Sequence, residues 1–263
     1  DSNPFANAST GGSSIRHVPR RLVTHDDTHA WRWRELLGVL LLAAAILLLW
    51  RVPWLGWLVY PFRVFGTFVH ELSHGLAAVL TGGEFQRFTV SADLSGLAWS
   101  AGGIRWIVAS AGYVGSAVFG GFLVLLAERG VSARALLLAL GIGLALLSLL
   151  FVRNLFGIAA GLSLGVLLVA AGRTLRAHWA ELLLLTLALQ SMLDGFNSLL
   201  NVLTLSTRDD IRTDAHTMAE LSGLPAMFWV MAWSLLSAAI VYASLRLAYR
   251  RPAPERLTPG SPP

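Results

Sequence analysis

The chain contains no cysteine and no lysine. Without cysteine there is no disulfide, no thiol nucleophile and no Cys-ligated metal. Any bound transition metal would have to be held by histidine and carboxylate. All twenty basic residues are arginine, which we read as coding bias and not as mechanism. Charge itself is scarce. Only 13% of the 263 residues are charged, where a soluble domain carries about 25%. No basic face interleaved with aromatics occurs, so nucleic acid is not expected as a partner.

In place of charge the chain has apolar runs. It is 55% hydrophobic, with a mean hydropathy of +0.63. Runs of about 17–25 apolar residues mark membrane spans. Seven are expected, near 35–50, 62–81, 104–126, 135–151, 155–171, 179–205 and 225–249. The expected class is an all-α polytopic membrane protein with the lipid bilayer as its surroundings. Residues 1–34 read as a disordered basic tail, 35–250 as the membrane domain, and 251–263 as a disordered Pro-rich tail. Arg16, Arg20, Arg21, Arg32 and Arg34 precede the first run, which favours a cytoplasmic amino terminus. Arg51, Pro53, Trp54, Trp57 and Tyr60 form an interfacial connection.

Residues 84–102 do not follow a helical period. Phe85, Arg87, Thr89 and Ser91 alternate with Gln86, Phe88 and Val90, and Asp93-Leu94-Ser95-Gly96 is a turn signal. This predicts a small β-hairpin at the membrane edge. Non-helical backbone there must pair with protein, line water or accept a guest strand. Gly112, Ser116 and Gly120 recur every fourth residue in the third span, a pattern suited to close helix packing.

The second span carries His70-Glu71-Leu72-Ser73-His74, an HExxH motif. A helix sets His70 and His74 one turn apart on one face, where both imidazoles reach a single Zn²⁺. Glu71 stands where a general base for water activation is needed. Ionisable groups inside a bilayer protein are costly and mark functional sites by default. Zinc requires a third protein ligand, and Asp194 is the expected one, within Leu193-Asp194-Gly195 of span six. Gln190, Asp194, Asn197 and Asn201 fall at i−4, i, i+3 and i+7, a polar stripe aimed into the bundle. Asn197 or Asn154 would donate to an oxyanion. Asp209, Asp210, Asp214, His216 and Glu220 lie in the polar connection 206–224, where solvated capping is the favoured role and Asp214 or His216 is a competing candidate for the metal ligand. Thr213 is expected to cap a short helix there, stopped by Gly223 and Pro225.

The HExxH and Leu-Asp-Gly segments resemble the site-2 protease family of intramembrane zinc metalloproteases, in its compact bacterial form without a PDZ domain. The resemblance covers roughly 62–205. It implies that His70, His74 and Asp194 bind zinc, that Glu71 is the base, and that a β-element at 84–102 holds a transmembrane protein substrate by strand addition. It also implies an integral protein of the bacterial inner membrane. Gln190-Ser191-Met192 stands where that family often has Asn-Pro. Rival readings are a prenyl-protein-processing type HExxH membrane protease with Glu181 as third ligand, and a metal-binding scaffold without catalysis. A transporter would show inverted repeats, and none is present.

Overall fold

The computed structural model describes residues 25–50, 52, 55–194 and 213–248. The chain divides into two units, Asp1–Gly38 and Val39–Pro263, and the packing and the site described below belong to the second. In chain order the elements are α1 (His25–Leu49), α2 (Gly56–Leu80), β1 (Glu84–Val90), β2 (Gly96–Ala101), α3 (Arg105–Glu128), α4 (Ala133–Phe151), α5 (Leu155–Thr174), α6 (Ala177–Met192), α7 (Asp214–Ser222) and α8 (Ala226–Ala248). The mostly helical architecture and the hairpin agree with the sequence reading. α1 begins at His25 and not near Glu35, while the remainder of the expected amino-terminal tail and the Pro-rich tail lie outside the described residues.

Among the described residues, four helices are long and apolar enough to cross a membrane: α3, α4, α5 and α8. The other three expected spans differ for separate reasons. The apolar part of α1 is short, Leu37–Leu49. α2 is long enough but carries Arg63, His70, Glu71 and His74. α6 ends at Met192, and residues 195–212 of the expected sixth span lie outside the described residues.

In lipid, helices gain little from apolar contact alone and associate through close packing. α4 and α5 meet through Gly141 and Gly165, each so near the other's backbone that a Cβ would overlap it, and Gly161 abuts Ser148. α3 is central, lying against α2, α6 and α8. The main core gathers Phe68, Phe88, Val152, Leu184 and Met192. Trp50 donates its indole N–H to Gln190 Oε1 at 3.3 Å, so Gln190 of the expected polar stripe fastens the end of α1 to α6.

β1 and β2 pair antiparallel, with a register shift between Phe85 and Arg87. The extra residue changes the phase of β1. Phe85, Phe88 and Val90 therefore turn inward together, against the strict alternation expected. Phe88 meets Phe68 of α2 edge to face at 5.7 Å, and Phe85 stacks on Phe151 at 4.9 Å. On the other face Arg87 lies 4.9 Å over Trp99. The turn is fastened to α2, since Tyr60 Oη donates to Ala92 O at 2.7 Å and Thr67 Oγ1 to Leu94 O at 3.2 Å.

The outer edge of β1 is occupied by the α4–α5 link. Arg153 N donates to Phe88 O at 3.0 Å. Asn154 then imitates a strand with its side chain: Val90 N donates to its Oδ1 at 3.2 Å and its Nδ2 donates to Val90 O at 2.7 Å. The outer edge of β2 has no strand partner among the described residues.

Candidate metal centre

α2 sets His70 and His74 with ring centroids 4.9 Å apart. Each ring is oriented at Nδ1. His70 Nδ1 lies 2.9 Å from Asp194 Oδ2, just past the end of α6, and His74 Nδ1 lies 2.6 Å from Val108 O of α3. Both partners are acceptors, which assigns the proton of each ring to Nδ1 and directs the Nε2 lone pairs outward. The two Nε2 atoms converge on one oxygen, Asp214 Oδ2, at 3.1 Å from His70 and 3.2 Å from His74.

Two imidazole lone pairs facing a carboxylate oxygen repel unless a proton or a metal cation lies among them. The ligand atoms of a tetrahedral Zn²⁺ site with bonds near 2.0 Å stand about 3.3 Å apart, close to the separations here. Gly112 of α3 faces the same point, and a Cβ there would run into the Nε2 atoms of His70 and His74. The donor set and the space kept by Gly112 both fit a divalent metal. His70, His74 and Asp214 are the group that could hold a metal ion among the described residues.

Asp214 opens α7, with Thr213 at the N-cap. Thr213 and His216 form a reciprocal capping box, and Gly223 closes the helix in the left-handed region at φ 74°. The capping expected of this segment is present, and His216 takes part in it through contact with Thr213 Oγ1 at 2.9 Å. Asp214 itself is drawn inward because Ala215 and Met218 on the same helix are buried in a second, smaller core with Ala109, Val230 and Trp233. The position gained in this way is one that charge pattern alone assigned to solvent. The legible signal was the apolar pair Ala215 and Met218 at i+1 and i+4 from Asp214.

The structure places Asp194 on the other side of His70 from the converging Nε2 atoms. A carboxylate on the distal nitrogen of a metal-binding histidine fixes its tautomer and raises its basicity. Asn154 is engaged by both backbone groups of Val90 and serves the hairpin. Asn197 and Asn201 lie outside the described residues. Glu181 is exposed near the head of α6 and is not in the metal-competent group.

Glu71 is only 6% exposed. Gly96, the first residue of β2, abuts its carboxyl so closely that a Cβ would overlap it. Sequence reasoning missed this contact, and also Tyr113. The Tyr113 ring meets His70 edge to face at 4.5 Å and stacks on Trp233 of α8 at 5.1 Å. On the side of α2 away from the hairpin, Leu72, Ser73 and Leu76 join Val114, Val118 and Leu140 around an apolar cavity of about 810 Å³.

A family model described as peptidase M50B-like matches residues 39–244. No curated protein and no solved structure matches the chain.

Proposed function

This chain belongs to the peptidase M50B-like family, and on that footing we propose that it is an intramembrane zinc endopeptidase acting on membrane-spanning proteins. The observation that carries the reading is the convergence of His70 Nε2, His74 Nε2 and Asp214 Oδ2 beside a buried Glu71. His70, His74 and Asp214 would hold the ion, with Asp194 orienting His70. When bound, Zn²⁺ supplies Lewis acidity towards a carbonyl and lowers the pKa of water near it.

The chain's own residues do the remainder. Glu71 takes the proton from the attacking water and returns it to the leaving amine. Gly96 brings the backbone of β2 against Glu71, so a strand laid along β2 would run past the base. A helical substrate cannot be cut, because its carbonyls are bonded and shielded. It must be extended, and strand addition on the open edge of β2 would hold it so. The edge of β1 is closed by Asn154. The basic run before the apolar part of α1 supports a cytoplasmic amino terminus.

Glu71 speaks against a metal-binding scaffold, since binding alone needs the histidines but not the base. The test is cleavage of a single-span reporter by the purified protein in proteoliposomes, with Glu71→Gln as control. Zinc-dependent cleavage in the wild type and none in the variant supports the reading. Equal cleavage by both, or none by a zinc-loaded wild type across a broad reporter set, sinks it.

A further inference from the structure

Arg63 precedes His70 by seven residues in α2. Seven residues are close to two full turns, so Arg63, His70 and His74 share one helix face, with Arg63 about 10 Å further towards the amino-terminal end. The side chain is half-buried and within electrostatic reach of Asp194. Asp194 directs its Oδ2 to His70. The Arg63 guanidinium has no hydrogen-bond or ion-pair partner among the described residues. An arginine serving only the lipid surface would lie on an outward face and reach for the headgroups. This one lies on the face of the metal ligands, where a cation without a direct partner among the described residues is costly unless it serves a purpose.

Its surroundings indicate what would pair with it. Tyr60 and Thr67, on either side of Arg63 along α2, fasten the hairpin turn through Ala92 O and Leu94 O. Beyond that turn β2 starts against Glu71. A polypeptide drawn out along the open edge of β2 therefore passes the base and the metal ligands and continues towards Arg63. A guanidinium offers a planar fork of N–H donors that matches a carboxylate.

Resting on the peptidase reading above, we infer that Arg63 is a specificity determinant that pairs with an Asp or Glu side chain of the substrate. The spacing along α2 corresponds to about three residues of extended chain between that carboxylate and the scissile bond.

The experiment uses the full chain in proteoliposomes with a single-span reporter whose cleaved bond has been mapped. Glu, Gln or Arg is placed singly at each of the positions flanking that bond. Wild type, Arg63→Gln and Arg63→Glu are compared by kcat/KM, and zinc content is measured in each. The expected result is a preference of about tenfold for Glu over Gln at one position near the third residue from the bond. Arg63→Gln abolishes the preference while cleaving the Gln reporter as the wild type does, and Arg63→Glu turns it towards Arg. No charge preference in the wild type, or one that survives in Arg63→Gln, overturns the inference. So does an equal fall for every reporter with loss of zinc, which would make Arg63 a support for Asp194 alone. A dependence on anionic lipid that Arg63→Gln removes, with no positional preference, would assign the guanidinium to a headgroup and also overturn it. Reporters left uncut by a zinc-loaded wild type would instead overturn the peptidase reading, and the inference with it.

Discussion

Asp194 Oδ2 lies 2.9 Å from His70 Nδ1, on the opposite edge of the ring from Asp214. Two carboxylates, 124 and 144 residues further along the chain, thus hold one imidazole, and they should not be equivalent. Asp214→Asn is expected to abolish stoichiometric zinc binding. Asp194→Asn should keep about one zinc per chain but bind it 10–100-fold more weakly. Elemental analysis and chelator competition measure both, and the reverse ranking would exchange the two roles.

Glu71 lies beside the converging nitrogens without joining them. Glu71→Gln should leave zinc content unchanged while lowering turnover by about 10²–10⁴-fold. Gly96→Val places a side chain where the Glu71 carboxyl sits. It should reproduce much of that loss in kcat with zinc retained. Zinc lost from Gly96→Val would show that β2 supports the metal ligands and not the base.

Gly112 keeps open the space in front of both Nε2 atoms. Gly112→Ala should cost zinc, whereas Gly143→Ala, where nothing lies within 4 Å of the added Cβ, should not. Comparing the metal content of the two variants separates a cradle at Gly112 from a general intolerance of added bulk in the helices.

Asn154 makes two hydrogen bonds to Val90 across the edge of β1. Asn154→Leu removes both, each worth about 0.5–1.5 kcal/mol, and leaves β1 with an unpaired end. Hydrogen exchange at the Val90 amide should accelerate about 5- to 150-fold, corresponding to about 1–3 kcal/mol in total. Unchanged protection would mean that the pairing with β2 alone sets the hairpin's stability.

Much of this architecture was legible from residue order. HExxH in an apolar run located the two histidines and the buried Glu71 beside them, because helical period alone brings them together. The hairpin was legible from its turn signal and β-branched and aromatic content, but its phase was not, because the shift near Gln86 leaves no mark in composition. Seven spans were expected from apolar runs, and four helices among the described residues meet the length and apolarity of a crossing. Run length takes no account of polar side chains such as those on α2, which turn towards protein. Asp214 was read as a cap because it sits among polar neighbours. Its place in the centre follows from the packing of Ala215 and Met218, an apolar pair whose weight against the polar neighbours is decided only by the tertiary contact with α8.

The small core beneath α7 has a consequence for how the protein comes into being. Ala215 and Met218, which seat Asp214, pack with Val230 and Trp233 of α8, the last described helix. A nascent chain emerging from the ribosome would carry HExxH early, but without Asp214, the proposed third ligand, or the surface that seats it. The centre closes only when α8 has entered the bundle. On the peptidase reading, a copy that lacks α8 would therefore lack the seat of Asp214.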